Sequence, residues 1–347
     1  MNLLIVKLSA IGDVIHTLPS LAALRKIYPD AHITWVVEEA AADLVQNHPH
    51  LDTVLILRRK SWIKDFRNGE ISRPLQEIFF FIKKLRQRSY DLVIDFHGLL
   101  KSSLIVLLSA GRRKLGYDSL QELSGLFLND RIPEDMKKHA VDRYLDFPRY
   151  LGAKNIQAEF VLPINRDAEG KAQLLLNKYN LENKKFIAIN PVAYWETKCW
   201  DDEKFARLAD LIAFNLNMKV VFTGSEKESI EKIISKMSAK AVNLGGETSL
   251  LELAYLYKKA QLVITTDSGP MHLAVAVGIQ VIALFGPTDP ARTGPYGAGH
   301  TVIRAELPCS PCFLKKCPAK KCMHDILPDQ VFAVIDEKLK GEKDGLK

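Results

Sequence analysis

No run of apolar residues in this 347-residue chain approaches the ~18 to 20 needed to cross a bilayer as a helix. The stretch 104–108 is brief, and 78–82 is closed off by Glu77 and Lys83. The apolar burst between Met1 and Lys7 is too short for a secretory signal and meets Ser9, Gly12 and Asp13 at once, so a first strand is expected there. With no such signal, the five cysteines are expected to be reduced in a cytoplasm. Aromatic residues are scarce, at 8%, and neither a stacking platform nor a basic recognition helix is evident. That argues against nucleic acid as a partner, although the net charge of +7 favours acidic partners of some kind. The first strand–helix turn lacks the spacing G-x-G-x-x-G, so no dinucleotide is indicated and no cofactor is expected.

What is present describes an ordinary globular protein, 47% apolar and 26% charged, long enough for two domains. Runs of Val, Ile and Leu alternate with amphipathic stretches, the pattern of parallel sheets wrapped by helices, so the fold class is α/β. In the first half, strands are predicted at 3–8, 33–37, 53–57 and 92–96, and helices at 14–27, 74–88 and 99–109. The pattern breaks near Leu162-Pro163-Ile164-Asn165, and a polar helix at 168–179 precedes a fresh strand at 185–190. Further strands at 220–223, 262–265 and 281–285 alternate with helices at 202–214, 227–237 and 250–258, and a last helix covers 329–338. The expected organisation is a first Rossmann-like domain at 1–165, a linker helix and hinge at 166–184, a second Rossmann-like domain at 185–327, and a terminal helix and tail at 328–347. Open α/β sheets bind ligands beyond their strands' C-terminal ends, so the active site is expected to span both domains at a common cleft.

Four places carry candidate chemistry. The segment from Lys7 to Pro19 is a strand, a small-residue turn and a helix start, where exposed backbone amides and the helix dipole favour an anion and Gly12 permits close approach. Asp13 is placed as a helix cap in its plainer role and as a general base in its sharper one, with His16 one turn on as its orienter or as a packed histidine. Lys198, after the strand at 185–190, is placed to meet a phosphate or pyrophosphate, or is surface charge. In Asp267-Ser268-Gly269-Pro270-Met271-His272 a helix start offers the amides of Ser268, Gly269 and Met271 to a diphosphate, with Asp267 for sugar hydroxyls and His272 supporting the loop. In the turn at Gly224-Ser225-Glu226-Lys227-Glu228, Glu228 rather than Glu226 is the candidate for a ribose diol, its plainer role being helix-start charge. Basic clusters at Arg58-Arg59-Lys60, Lys83-Lys84, Arg112-Arg113-Lys114 and Lys137-Lys138 lie in the first half; each read alone is a solvated face.

Taken together, Val6-Lys7-x-Ser9-x-x-Gly12-Asp13-Val14-x-His16-Thr17-Leu18-Pro19, Trp35-Val36-Val37-Glu38-Glu39, Asp95-x-x-Gly98-Leu99-x-Lys101-Ser102, His139-Ala140-Val141-x-Arg143, Lys198-x-Trp200 and Asp267-x-Gly269-x-x-His272 resemble a known family. The chain is similar over nearly its whole length to the ADP-heptose lipopolysaccharide heptosyltransferases, glycosyltransferase family 9, and most to the heptosyltransferase I type. The resemblance implies a GT-B fold whose C-terminal helix packs back toward the first domain, and an inverting transfer without catalytic metal. It implies ADP-heptose as donor, and Kdo of Kdo–lipid A as acceptor, with peripheral contact at the cytoplasmic face of an inner membrane. It assigns Asp13 as base and Lys198 as stabiliser of the departing diphosphate. Ser9, Gly12, Glu228, Asp267, Ser268, Gly269 and His272 fall to the donor, and Arg58, Arg59, Lys60, Lys64 and Lys101 to the acceptor. Two departures from the type stand out: Gln121 where an arginine is usual, and Ala193 and Tyr194 where threonines precede the lysine.

Cys309-x-x-Cys312-x4-Cys317-x4-Cys322 holds enough soft ligands for a structural zinc site, with His324 close behind, but only one C-x-x-C knuckle. Packed or free thiols and a disulfide are the other readings. Three rival functions stand beside the main one: another family 9 enzyme such as heptosyltransferase II, a zinc-containing nucleic-acid binder, and a sugar-nucleotide binder that has no need of Asp13.

Overall fold

A computed structural model of the chain describes residues 1–119, 125–181 and 183–344. Gln121 lies outside the described residues. The chain divides into two compact units, Met1–Pro163 and Ile164–Lys347. Among the described residues no helix is long and apolar enough to cross a membrane.

The first unit runs β1 (Asn2–Val6), α1 (Ile11–Ile27), β2 (His32–Glu38), β3 (Thr53–Leu57), α2 (Arg59–Arg67), α3 (Ser72–Leu85), β4 (Leu92–Asp95), α4 (Leu100–Leu108), β5 (Arg113–Tyr117), β6 (Asp130–Ile132) and α5 (Ala140–Tyr150). The strands form one sheet in the order β3-β2-β1-β4-β5-β6, all parallel. Val6 sits beside Val36 on one side and Asp95 on the other, so β1 and β4 end at one level while β2 runs on to Glu38. Alternate residues of a strand face opposite ways. Leu4, Val6 and Leu8, with Val36, Leu55, Leu57 and Val93, face a core closed by Trp62 of α2, Phe81 and Leu85 of α3 and Ile105 and Val106 of α4. Leu3 and Ile5, equally buried, face the other way, toward the layer in which α1 and α5 pack on each other. Burial on both faces is why β1 reads as an unbroken apolar run.

The second unit runs α6 (Arg166–Lys178), β7 (Phe186–Asn190), α7 (Asp202–Leu216), β8 (Lys219–Phe222), α8 (Lys227–Ile234), β9 (Val242–Asn243), α9 (Leu250–Lys259), β10 (Val263–Thr266), α10 (Gly269–Ala276), β11 (Val281–Phe285), α11 (Pro290–Thr293), β12 (Thr301–Arg304), α12 (Lys321–His324) and α13 (Pro328–Asp344). Its sheet, again parallel, has the order β12-β11-β10-β7-β8-β9. Helix α6 packs on α9, with Ala168, Ala172 and Leu176 buried. The final helix packs on α7, and its Val331 and Ile335 are fully buried in this unit's core.

Elements that periodicity did not predict are those with weak apolar signals. Helix α2 buries only Trp62 among nine residues, α5 contains Pro148, and β12 is an edge strand with no fully buried residue.

Candidate active site

In each sheet the connections leave in opposite directions from one pair of neighbouring strands, β1 and β4 in the first unit and β7 and β10 in the second. A crevice opens beyond the C-terminal ends of such a pair, and ligands bind there. The charged groups singled out above gather at both places.

In the first unit the chain leaves β1 through Lys7, Leu8, Ser9 and Ala10, and Ala10 is the N-cap of α1. Asp13 is thus the third helical residue and not the cap that the sequence suggested. Its carboxylate reaches back to accept the Ala10 amide at 3.2 Å, which fixes it at the mouth of the turn. The Tyr144 hydroxyl stands 3.5 Å from the other carboxylate oxygen. That phenol in turn accepts from the Lys7 ammonium at 2.6 Å, and Lys7 also donates to the Phe96 carbonyl at 3.1 Å. Burial pulls the Lys7 ammonium below its ordinary value, while Asp13 and Asp95 push it back up. Burial also raises the Tyr144 phenol, with Asp13 adding to the effect, so the phenol keeps its proton and serves as a donor. His16 is buried and meets His139 edge-on, ring centroids 5.4 Å apart.

At the end of β4, buried Asp95 accepts the amides of His97 at 2.9 Å and Gly98 at 3.1 Å and the Ser102 hydroxyl at 2.9 Å. Gly98 takes φ +64°, so this tight turn needs a residue free to adopt the left-handed region. Burial pushes the Asp95 carboxyl up against these three donors. The turn holds His97, whose imidazole is pushed down to about 3 by burial and by the nearby charges of Lys7 and Lys101. It is a neutral imidazole at any physiological pH.

Glu38, at the end of β2 and 5% exposed, is the anchor of the basic residues. It takes Arg59 Nε at 3.1 Å and Lys101 Nζ at 3.2 Å, and Lys101 donates to Ser9 Oγ at 2.8 Å. Ser9, assigned to the donor by resemblance, is therefore joined to the acceptor set through Lys101. Arg58 pairs with Glu39 at 3.0 Å and Glu77 at 3.2 Å, and Lys60 and Lys64 are exposed on α2. Gly12 lies in the first turn of α1.

In the second unit the segment after β7 carries Lys198 and the segment after β10 carries Asp267, and their side chains meet at 2.7 Å. Lys198 is 16% exposed and Asp267 5%. The Thr288 hydroxyl donates to the same carboxylate oxygen at 2.6 Å, and the ammonium lies 4.5 Å from the centre of the Trp195 ring. Ser268 caps α10. Pro270 has no N–H, and Met271 returns its own to the Ser268 carbonyl at 3.1 Å. The Met271 amide expected to face an anion is thus already used, and Ser268 and Gly269 supply the donors this turn can offer. His272 is buried one turn into α10, 6% exposed. Glu226 caps α8 and accepts from Ser229 at 3.1 Å, whereas Glu228 is exposed in the first turn. Tyr194 is 98% exposed, so it forms no part of a packed wall.

Sequence reasoning gave no role to Lys7, Tyr144, His97 or Glu38. Lys7 and Glu38 did lie inside the quoted motifs, but Tyr144 lies 131 residues from Asp13 and carried no signal. Cys309, Cys312, Cys317 and Cys322 are free thiols that line one pocket of about 250 Å³ with Thr197 and Pro287. Among the described residues no group of three or more His, Cys, Asp or Glu side chains is arranged to hold a metal ion.

A model of glycosyltransferase family 9 (heptosyltransferase) matches residues 78–323. The chain is 30% identical to lipopolysaccharide heptosyltransferase 1 of Escherichia coli K12, over 88% of this chain and 94% of that protein. It is also 25% identical to lipooligosaccharide heptosyltransferase 2 of Campylobacter jejuni, over 95% and 96%. The solved structure of an E. coli heptosyltransferase with ADP superposes with a TM-score of 0.79 at 26% identity, covering 97% of this chain and all (100%) of that one. The architecture is GT-B.

Proposed function

The chain belongs to glycosyltransferase family 9, the heptosyltransferases, and on that footing we propose that it transfers L-glycero-D-manno-heptose from ADP-heptose to Kdo of Kdo–lipid A. That it is a heptosyltransferase of lipopolysaccharide core biosynthesis follows from its relatives; the donor, the acceptor and the residue roles are this proposal. The observation that carries it is the Lys198–Asp267 pair, a half-buried cation at the switch point of the second sheet beside the Ser268–Gly269 helix start. Such a cation with helix-start amides suits the diphosphate of a leaving ADP. Related E. coli enzymes solved with ADP and with ADP-2-deoxy-2-fluoro heptose support an ADP-sugar donor.

In the proposed reaction Asp13 takes the proton of an acceptor hydroxyl as its oxygen bonds to the anomeric carbon, and the bond from that carbon to the ADP oxygen breaks with inversion. The Ala10 amide and the Tyr144 phenol hold the carboxylate in place, and Lys7 behind Tyr144 supports its anionic form. Lys198 shifts from Asp267 to the diphosphate. Ser9 and Gly12 would line the donor from the first unit and Glu228 would hold its ribose, with Asp267, Ser268, Gly269 and His272 at sugar and phosphates. Arg58, Arg59, Lys60, Lys64 and Lys101 would meet the acidic acceptor, with the protein peripheral on the cytoplasmic face of an inner membrane.

The test is incubation with ADP-heptose and either Kdo–lipid A or the already heptosylated acceptor, read by mass spectrometry for one added heptose. Product from the second acceptor alone replaces this reading with a type II activity. Asp13→Asn should lower kcat by about 10² to 10⁴ with ADP binding retained; unchanged turnover removes Asp13 as base.

A further inference from the structure

The α2–α3–α4 layer of the first unit departs from an ordinary protein surface. Ile71, Leu75 and Phe79 recur every fourth residue along α3 and its cap, and they are 62%, 53% and 64% exposed, with Phe80 beside them at 56%. On α4, Leu100, Leu104 and Leu107 make a second stripe, 48%, 49% and 42% exposed. Ile63 and Phe66 add a third on α2. All three helices close the same core over one face of the sheet, and Arg86 after α3 bonds to the Leu108 carbonyl at the end of α4. A helix at a protein surface ordinarily turns its apolar side inward and its polar side out. Here the inward side is filled by Trp62, Phe81, Leu85, Ile105 and Val106, and a second apolar side remains outside.

The charges around these stripes have one dominant sign. Residues 59–88 hold nine Lys or Arg against three Asp or Glu. Lys60, Lys64 and Arg67 alternate with Ile63 and Phe66 along α2, and Lys83 continues the Ile71–Leu75–Phe79 stripe by one more turn. Apolar side chains set among cations match a membrane surface, whose anionic headgroups take the charge while the acyl boundary takes the rings. An interface with a second protein chain is depleted of lysine, whereas Lys60, Lys64 and Lys83 stand among these apolar side chains.

We propose that the outer face of α2, α3 and α4 docks on an anionic phospholipid bilayer, with Leu75, Phe79, Phe80 and Leu104 entering the headgroup boundary. This deepens the reading that the acceptor is a membrane lipid and rests on it for its purpose, though its test does not use the acceptor. The docked helix α2 also carries Arg58, at its cap, with Arg59, Lys60 and Lys64. Docking thus places the proposed acceptor contacts at the bilayer surface.

The experiment is flotation of the full chain with vesicles of phosphatidylcholine and phosphatidylglycerol, which contain no acceptor, against phosphatidylcholine alone. Binding to the anionic vesicles that weakens with added salt is expected, and Leu75→Ser with Phe79→Ser should lower the partition coefficient by about tenfold or more. Phe214→Ser, an equally exposed apolar site on α7, should leave binding unchanged, and thermal melting of each variant confirms folding. Equal binding by the double variant, or no preference for the anionic vesicles, overturns the proposal. So does a dimer in sedimentation that the same double variant dissolves, because the face is then a contact between copies. Transfer to a detergent-dispersed acceptor should survive the double variant, so loss of docking and failure of the acceptor reading give different results.

Discussion

Replacing Asp267 by Asn tests the donor site most directly, because the substitution keeps the side chain's shape and removes only its charge. Lys198 and Asp267 stand 2.7 Å apart, 16% and 5% exposed. Breaking a fully buried pair costs about 3–5 kcal/mol, because the surviving charge is left without compensation. The Lys198 ammonium keeps some solvent and the π-face of Trp195 at 4.5 Å, so the loss here should be smaller, about 2–3 kcal/mol. For a unit of this size that is a fall in melting temperature of about 5–10 °C. ADP supplies the missing negative charge to Lys198, so the stabilisation by saturating ADP should be larger in Asp267→Asn than in the parent. Differential scanning fluorimetry with and without ADP reads both quantities. A variant that melts with the parent and gains no more from ADP would mean that the pair does not hold Lys198 for a diphosphate, and the leaving-group role argued for it would go.

Tyr144→Phe removes the phenol that accepts from Lys7 at 2.6 Å, leaving a buried ammonium with one fewer partner. It should cost about 1–3 kcal/mol in urea unfolding and reduce kcat with little change in donor KM; a stable variant with full activity refutes the support assigned to Asp13. His48 gives a pH prediction. Its Nε2 lies 3.0 Å from the Val161 carbonyl, its Nδ1 accepts the His50 amide, and burial pushes the ring down to about 4. The folded state holds the neutral ring, so its contribution is complete above the unfolded value near 6.5 and is lost as pH falls toward 4. The loss should reach about 2–3 kcal/mol at pH 4.5, less in His48→Gln, by denaturant unfolding at both pH values; parallel pH profiles in parent and variant contradict it.

The parallel strands were readable where both faces are buried. Val281–Phe285 coincides with the predicted range, because all five of its residues are buried and a strand covered on two sides must be apolar at every position. Helix α2 was unreadable for the opposite reason. Its residues are held by one buried tryptophan and by ion pairs to Glu38 and Glu39 on another element, and neither leaves a period in the sequence.

The amino-acid sequence alone determined the two-unit α/β plan and the places where strand, turn and helix expose charged groups, since local propensity and period specify those. Asp13, Lys198, Asp267 and Ser268 could therefore be singled out as candidates. Which groups meet was decided only by the tertiary structure. Lys7 and Tyr144 are 137 residues apart, and packing of α5 on α1 brings them to 2.6 Å. Lys198 and Asp267 meet because β7 and β10 are neighbours in their sheet though not in the chain. Pairing across such distances depends on which strands lie side by side and which helices cover them, and no local pattern of residue types carries that information.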